Sequence, residues 1–179
     1  MNSAMKVNIA KLAQQYGRKV FQSAFRILND THLAEDVVQE VFLKLFKKST
    51  ESFDKISNWQ GYLKSMAIST AIDQLRRHKR LAEEPIEDES PRNIDGAKQP
   101  LQQVLLQRDL AQFKIALVNM HPQDAEIFCL RHIEGYTYQE IGGLLDMTSN
   151  AVGVCLHRTQ QKLSSQLPES QFFGEQKHV

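Results

Sequence analysis

Residues 121–163 read HPQDAEIFCLRHIEGYTYQEIGGLLDMTSNAVGVCLHRTQQKL, and this stretch decides the fold class of the 179-residue chain. Pro122 suits a first helical position, where a missing amide donor costs nothing. The helix it opens carries Ala125, Ile127, Phe128, Leu130 and Ile133 at helical spacing, and Gly135 stands where a helix commonly stops. Thr137-Tyr138-Gln139-Glu140 has the form of a capping box, in which the hydroxyl accepts from the Glu140 amide while the Glu140 carboxylate reaches back. A short helix is predicted over 138–145, with Ile141, Leu144 and Leu145 facing inward. Asp146-Met147 makes a turn, Thr148 caps again, and a longer helix runs to about residue 166. Two helices joined by so short a turn form a helix-turn-helix, and Gly142 falls where only a small residue fits between them. The pattern indicates DNA binding, although an ordinary αα-hairpin has the same spacing.

Upstream, the apolar periods are helical and no convincing strand occurs. Residues 7–28 repeat Ile9, Leu12, Ala13, Tyr16, Val20, Phe21, Ala24 and Phe25. Asn29-Asp30-Thr31 is a turn with Asp30 or Thr31 as N-cap. Residues 33–48 place Leu33, Val37, Val38, Val41, Phe42, Leu45 and Phe46 on one stripe, the cleanest amphipathic helix of the chain. A third helix is predicted over 59–80, burying Leu63, Met66, Ala67, Thr70, Ala71 and Leu75. Residues 81–100 hold three prolines and six acids with few apolar groups, too little to offset their ordering entropy, and read as a flexible linker. Residues 101–118 are helical again through Leu101, Val104, Leu105, Leu110, Phe113 and Leu117, and a polar tail begins at 168. The expected organisation is all-α, with two small helical domains at 5–80 and 101–167, an acidic linker at 81–100 and a tail at 168–179.

The charge of +1 conceals an asymmetry: residues 1–80 carry a net +7, residues 81–100 a net −4 and residues 101–179 a net −2. Contact with a polyanion is therefore expected in the first half. No run of about 18 apolar residues suggests a membrane span, and residues 1–19 lack the apolar core of a secretion signal. Two cysteines, Cys129 and Cys155, supply neither a disulfide framework nor metal-ligand spacing, and Cys129 among Ile127, Phe128 and Leu130 reads as a core residue. A reduced, soluble, cytoplasmic protein is expected, without cofactor or metal. No nucleophile–base set, phosphate loop or ligand cluster points to an enzyme or to a catalytic residue.

Residues 121–163 resemble region 4, the DNA-binding C-terminal domain of sigma-70-family factors, in their proline-led helix, the GYTYQEIG core and the spacing of the last helix. HLAEDVVQEVFLKLF at 32–46 resembles the polymerase-binding part of region 2, and FDKISNWQGYLKSMAISTAIDQLRRHKR at 53–80 the part that melts and reads the −10 element. The two blocks stand in the family's order, and nothing resembles the third domain of larger sigma factors. The chain is thus similar to the extracytoplasmic-function group.

The resemblance implies a set of partners and residues. Asp36, Gln39, Glu40, Leu43 and Lys44 would dock on core RNA polymerase, whose β and β′ subunits are the expected partners. As ordinary surface charges, such i,i+4 groups are worth only tenths of a kcal/mol. Trp59, Tyr62, Lys64, Ser65, Ser69, Arg76, Arg77 and Arg80 would meet the −10 element of promoter DNA, the short hydroxyls admitting a close backbone and the basic end neutralising phosphates. Trp59 and Tyr62 have the rings to stack on a base, yet equally suit the core, and Asp73 is expected to pair with Arg76 or Arg77. Thr137, Thr148, Ser149, Asn150, Val154, His157 and Arg158 would meet the −35 element, and an anti-sigma factor would clamp the two domains. The linker would lie along the basic region or enter the polymerase's RNA channel.

Departures from the family pattern fall on both reading helices. A family asparagine is Ser69 here, and a lysine and an arginine of the last helix are Gly153 and Cys155. A base-reading contact is worth roughly 1–3 kcal/mol, so −35 recognition is expected to be weaker or differently specified. Three readings stay open: an initiation factor, a two-helix regulator that needs no polymerase, and a sigma-like decoy that binds proteins only.

Overall fold

The computed structural model describes residues 3–83 and 101–166, so the greater part of the expected linker and the whole tail lie outside the described residues. These residues form eight helices and, among them, no strand. None of the helices is long and apolar enough to cross a membrane. The expected pair of small helical domains is present.

The N-terminal unit contains α1 (Ser3–Leu28), α2 (Thr31–Phe46), α3 (Thr50–Asp54) and α4 (Trp59–Glu83). Asn29 turns the chain with a left-handed φ of 47°, a conformation its short side chain tolerates. Asp30 then caps α2, its carboxylate accepting the Leu33 amide at 2.9 Å, which resolves the two predicted caps in favour of Asp30. Ala24, Ile27 and Leu28 of α1, Val37, Val41 and Leu45 of α2, and Leu63, Ala67, Ile68, Ala71 and Ile72 of α4 fill one core. Met66 and Leu75, expected in that core, lie at its edge, and Ile68 and Ile72 take the central places. The short α3 was not foreseen. Ser49 caps it, Phe53 buries its one large side chain, and Asn58 accepts the Gly61 amide at 2.9 Å to start α4. Leu81, Ala82 and Glu83 continue α4 past the expected linker boundary.

The C-terminal unit contains α5 (Leu101–Asn119), α6 (Pro122–His132), α7 (Tyr138–Leu145) and α8 (Ser149–Gln166). The capping box forms as read: Thr137 Oγ1 accepts the Glu140 amide at 3.2 Å and the Glu140 carboxylate accepts the Thr137 amide at 2.8 Å. Gly135 has φ +76°, the left-handed geometry expected of a residue just past a helix. A Cβ on Gly142 would lie 2.5 Å from the Met147 carbonyl oxygen, so the α7–α8 turn closes only over a glycine. Ile127, Leu130, Ile141, Val152, Leu156 and the fully buried Cys129 join the three last helices. The units do not stand apart: α5, α6 and α7 all pack against α4.

Candidate nucleic-acid interface

On α2, the polar face splits in two. Asp36 and Gln39 are exposed, and Leu43 projects between charges with 58% of its surface open, a large apolar group without an internal partner. Glu40 and Lys44 instead tie α2 to α4. Glu40 accepts from Lys44 at 3.0 Å and from Arg77 at 2.9 Å, and Lys44 Nζ also donates to the buried Thr70 hydroxyl at 2.9 Å. Partial burial alone would raise the Glu40 pKa, but hydrogen bonds from Arg77 and Lys44 hold it below the usual carboxylate value.

The predicted −10 residues all lie on or beside α4, and most are engaged. Trp59 and Tyr62 are half-buried in an aromatic group with Phe53, at centroid separations of 4.4 Å (Phe53–Trp59) and 6.1 Å (Trp59–Tyr62). Ser69 donates to the Met66 carbonyl at 3.2 Å, and Ser65 is buried with its hydroxyl on Glu126. Lys64 Nζ lies 2.5 Å from Glu134. Arg76 donates to the Met120 carbonyl at 3.0 Å and meets Asp73 at 3.5 Å, the pairing expected from their spacing. Arg77 is bound to Glu40, whereas Arg80 is exposed at the end of the helix. An open groove lined by Glu40, Arg76, Arg77, Lys79, Arg80 and Asn119 runs between α4 and the end of α5.

In the helix-turn-helix, Ser149, Asn150, Val154 and His157 face outward from α8, while Val152, Leu156 and Thr159 face inward. Thr137 and Thr148 act as caps, Thr148 accepting the Ala151 amide at 3.2 Å. Arg158 Nη2 lies 2.7 Å from Asp124, whose side chain is only 6% exposed, so this arginine fastens α8 to α6. A Cβ on Gly153 would lie 3.5 Å from the Tyr138 ring, and the Arg131 guanidinium sits over that ring, 5.4 Å from its centroid. The residues that sequence reading missed are Glu126, Asp124, Arg131, Glu134 and Tyr138. The partners of Asp124, Glu126 and Glu134 lie 34, 61 and 70 or more residues away, whereas Arg131 and Tyr138 are near neighbours whose types, a cation near an aromatic, hint at a role.

Comparison with known proteins agrees with these two units. Residues 12–81 match the family model for Sigma-70 region 2, and residues 102–163 match the model for Sigma-70, region 4. The ECF RNA polymerase sigma factor ShbA of Streptomyces griseus is 30% identical over 135 residues, covering 74% of this chain and 70% of that protein. SigW of Bacillus subtilis is 25% identical and covers 88% of each. SigE of Mycolicibacterium smegmatis is 28% identical over 88% of this chain, which spans 60% of that protein's length. Among solved structures, the sigma factor RpoE in complex with the anti-sigma factor NepR from Bartonella quintana matches with a TM-score of 0.50. That match covers 92% of this chain and 99% of the other at 18% identity, a likeness of fold alone.

Proposed function

The chain belongs to the sigma-70 family of RNA polymerase sigma factors, in its extracytoplasmic-function group, and from that premise we propose that it binds core RNA polymerase and directs initiation at a particular set of promoters. It acts as an initiation factor in the cytoplasm and makes no covalent bond itself. The exposed Asp36, Gln39 and Leu43 face docks on the polymerase, with Glu40 and Lys44 fixing that face to α4. A non-polar side chain ringed by polar groups suits a protein partner better than it suits water.

On α4, Lys64, Arg76, Arg77 and Arg80 supply cations for the phosphates of the −10 strand, and Ser65 and Ser69 leave room for its backbone. Melting requires an unpaired base to be captured, at an unstacking cost of a few kcal/mol. The Phe53–Trp59–Tyr62 aromatic group at the start of α4 has the rings to receive it, and their packing together supports the reading. The second unit reads −35 duplex through Ser149, Asn150, Val154 and His157 of α8, with Arg158 positioning that helix. On this reading the chain divides at 5–80 and 101–167, with α4 itself running on to Glu83, and an anti-sigma factor that clamps both units is the expected regulator.

What carries the reading is one chain holding both an open Asp36–Gln39–Leu43 face and a capped helix pair whose second helix presents unengaged polar side chains. Run-off transcription with purified core polymerase tests it. The protein should direct start sites on its own promoters, and Asp36→Arg should reduce polymerase retention by about tenfold or more, as like-charge or unpaired-charge changes at an interface do. Binding to duplex DNA without polymerase association would instead identify a two-helix regulator. Association with neither would leave the protein-binding decoy.

A further inference from the structure

Among the described residues, a fully covered carboxylate with three side-chain donors lies between the two units. Glu134 sits in the turn between α6 and α7, and its side chain has no exposed surface. Ser23 donates to Oε1 at 2.8 Å and Arg26 at 3.2 Å, while Lys64 donates to Oε2 at 2.5 Å. All three donors belong to the N-terminal unit. Burial alone would push the Glu134 carboxyl up, yet the Lys64 and Ser23 hydrogen bonds and the nearby Arg26 hold it below the usual value, so it is an ionised group inside the contact.

Three further contacts follow the same seam. The Ser65 hydroxyl donates to Glu126 of α6, Arg76 donates to the Met120 carbonyl, and Lys79 reaches the Asn119 side chain at 3.1 Å. The seam is closely packed: a Cβ on Gly61 would lie 2.7 Å from Leu144 Cδ2. Lys64, Ser65 and Arg76 are among the residues that the proposed function gives to the −10 strand. In this arrangement two carboxylates and a carbonyl oxygen hold the places that phosphates would need.

We infer that Glu134 and Glu126 form an internal latch, which holds the C-terminal unit over the −10 face and must open before single-stranded DNA enters. The physical argument is one of location. A buried carboxylate served by its own unit would stabilise that unit, but every side-chain donor to Glu134 comes from across the seam. When the units part, Glu134, Arg26 and Lys64 are all returned to water, and neither unit loses an internal bond. Desolvation of a buried ion pair nearly offsets its attraction, so such a contact is poised near balance. Phosphates competing for Lys64 and Arg76 then have the leverage to open it.

The identification of the covered face as the −10 face rests on the proposed function; the latch itself does not, and the experiment separates them. Small-angle scattering of the full chain, with circular dichroism to confirm helix content, reads closure directly. Glu134→Lys sets a cation against Arg26 and Lys64 and should expand the particle while leaving the helical signal unchanged. Pairing it with Lys64→Glu should restore the compact form. A fluorescent single strand carrying the −10 sequence should bind Glu134→Lys at least about tenfold tighter than wild type, a conservative reading of the cost of removing one partner of a buried pair. Should Glu134→Lys fail to fold, Lys64→Glu on the other unit decides in its place, since it sets a carboxylate against Glu134 and should expand the particle likewise. An unchanged particle in whichever single variant folds overturns the latch. Expansion without any gain in strand affinity keeps the latch and removes its link to DNA. Failure of wild type in run-off transcription refutes the proposed function and leaves the scattering result standing.

Discussion

The two helices to which the proposed function gives DNA contacts, α4 and α8, are opposites. The α4 face is dense with cations, and nearly every one already has a partner: Lys64 on Glu134, Arg76 on Asp73 and Met120, Arg77 on Glu40, Lys79 on Asn119. The α8 face is open to solvent through Ser149, Asn150, Val154 and His157, yet its one arginine is turned onto Asp124. Electrostatic affinity for nucleic acid comes from cations that release counterions. The first unit therefore has that affinity in reserve and the second has little of it. Charge is concentrated where access is restricted, and access is greatest where charge is low; under the proposed function, polymerase would have to bring both helices to a promoter.

The largest effect is expected from removing the open half. In Gly142→Val the new side chain meets the Met147 carbonyl, a backbone atom that cannot rotate away. Overpacking of this kind costs about 1–3 kcal/mol, and for a domain of some 60 residues each kcal/mol lowers the melting midpoint by about 4–8 °C. Calorimetry should show the C-terminal transition falling while the N-terminal one stays. Binding to −35 duplex should be lost. Binding to the −10 single strand should rise, since the unit that covers it no longer docks. If both affinities fall together, the contrast between the helices is wrong.

Next in size is an attempt to abolish the contrast by charging α8. A Cβ on Gly153 would lie 3.5 Å from the Tyr138 ring, an ordinary contact, so Gly153→Lys fits. Together with Cys155→Arg it should tighten −35 duplex binding about tenfold at low salt and steepen the salt dependence by about 2, near 0.9 for each phosphate neutralised. An unaltered slope would mean that these two positions do not face the backbone. Thr137→Ala should act on the same unit without touching its charge. Loss of an N-cap costs about 1 kcal/mol, so the C-terminal midpoint should drop while the salt slope holds. A changed slope would give the Thr137 hydroxyl a phosphate contact besides its place in the capping box.

How much of this was legible beforehand follows from the range over which each signal acts. The α7 limits, the box at Thr137 and Glu140, the Asp30 cap and the glycine at 142 were readable because each depends on residues within one or two turns. Helix α3 was missed because five residues are too few to show a period. Asp73 with Arg76, three residues apart, was foreseen, whereas Arg158 with Asp124, 34 residues apart, was not. The position of Arg158 on the helix points to a DNA contact, and the pairing with Asp124 adds a structural duty that the sequence does not show. Glu134 left no trace at all, since its partners lie 70, 108 and 111 residues away and depend on how two folded bodies meet. The fold was therefore almost wholly present in local pattern, and the packing of α5, α6 and α7 against α4 was not.

The smallest expected effect is the one that decides whom Glu40 serves. Its carboxylate is about one-third exposed and bridges Lys44 and Arg77, so it belongs as much to the α4 face as to the exposed Asp36–Gln39 side of α2. Partly exposed pairs contribute about 0–1 kcal/mol, and Glu40→Gln should leave the N-terminal midpoint nearly unchanged. It should, however, release Arg77 toward the open groove and raise affinity for the −10 strand by about twofold, with a slightly steeper salt slope, as one more available cation requires. Polymerase retention should fall less than in Asp36→Ala, because Asp36 has no such internal duty. If retention falls as far as in Asp36→Ala while strand affinity stays level, Glu40 is a docking residue and its bond to Arg77 is incidental. The pair of measurements moves in opposite senses under the two roles, which is why so slight a perturbation is worth making.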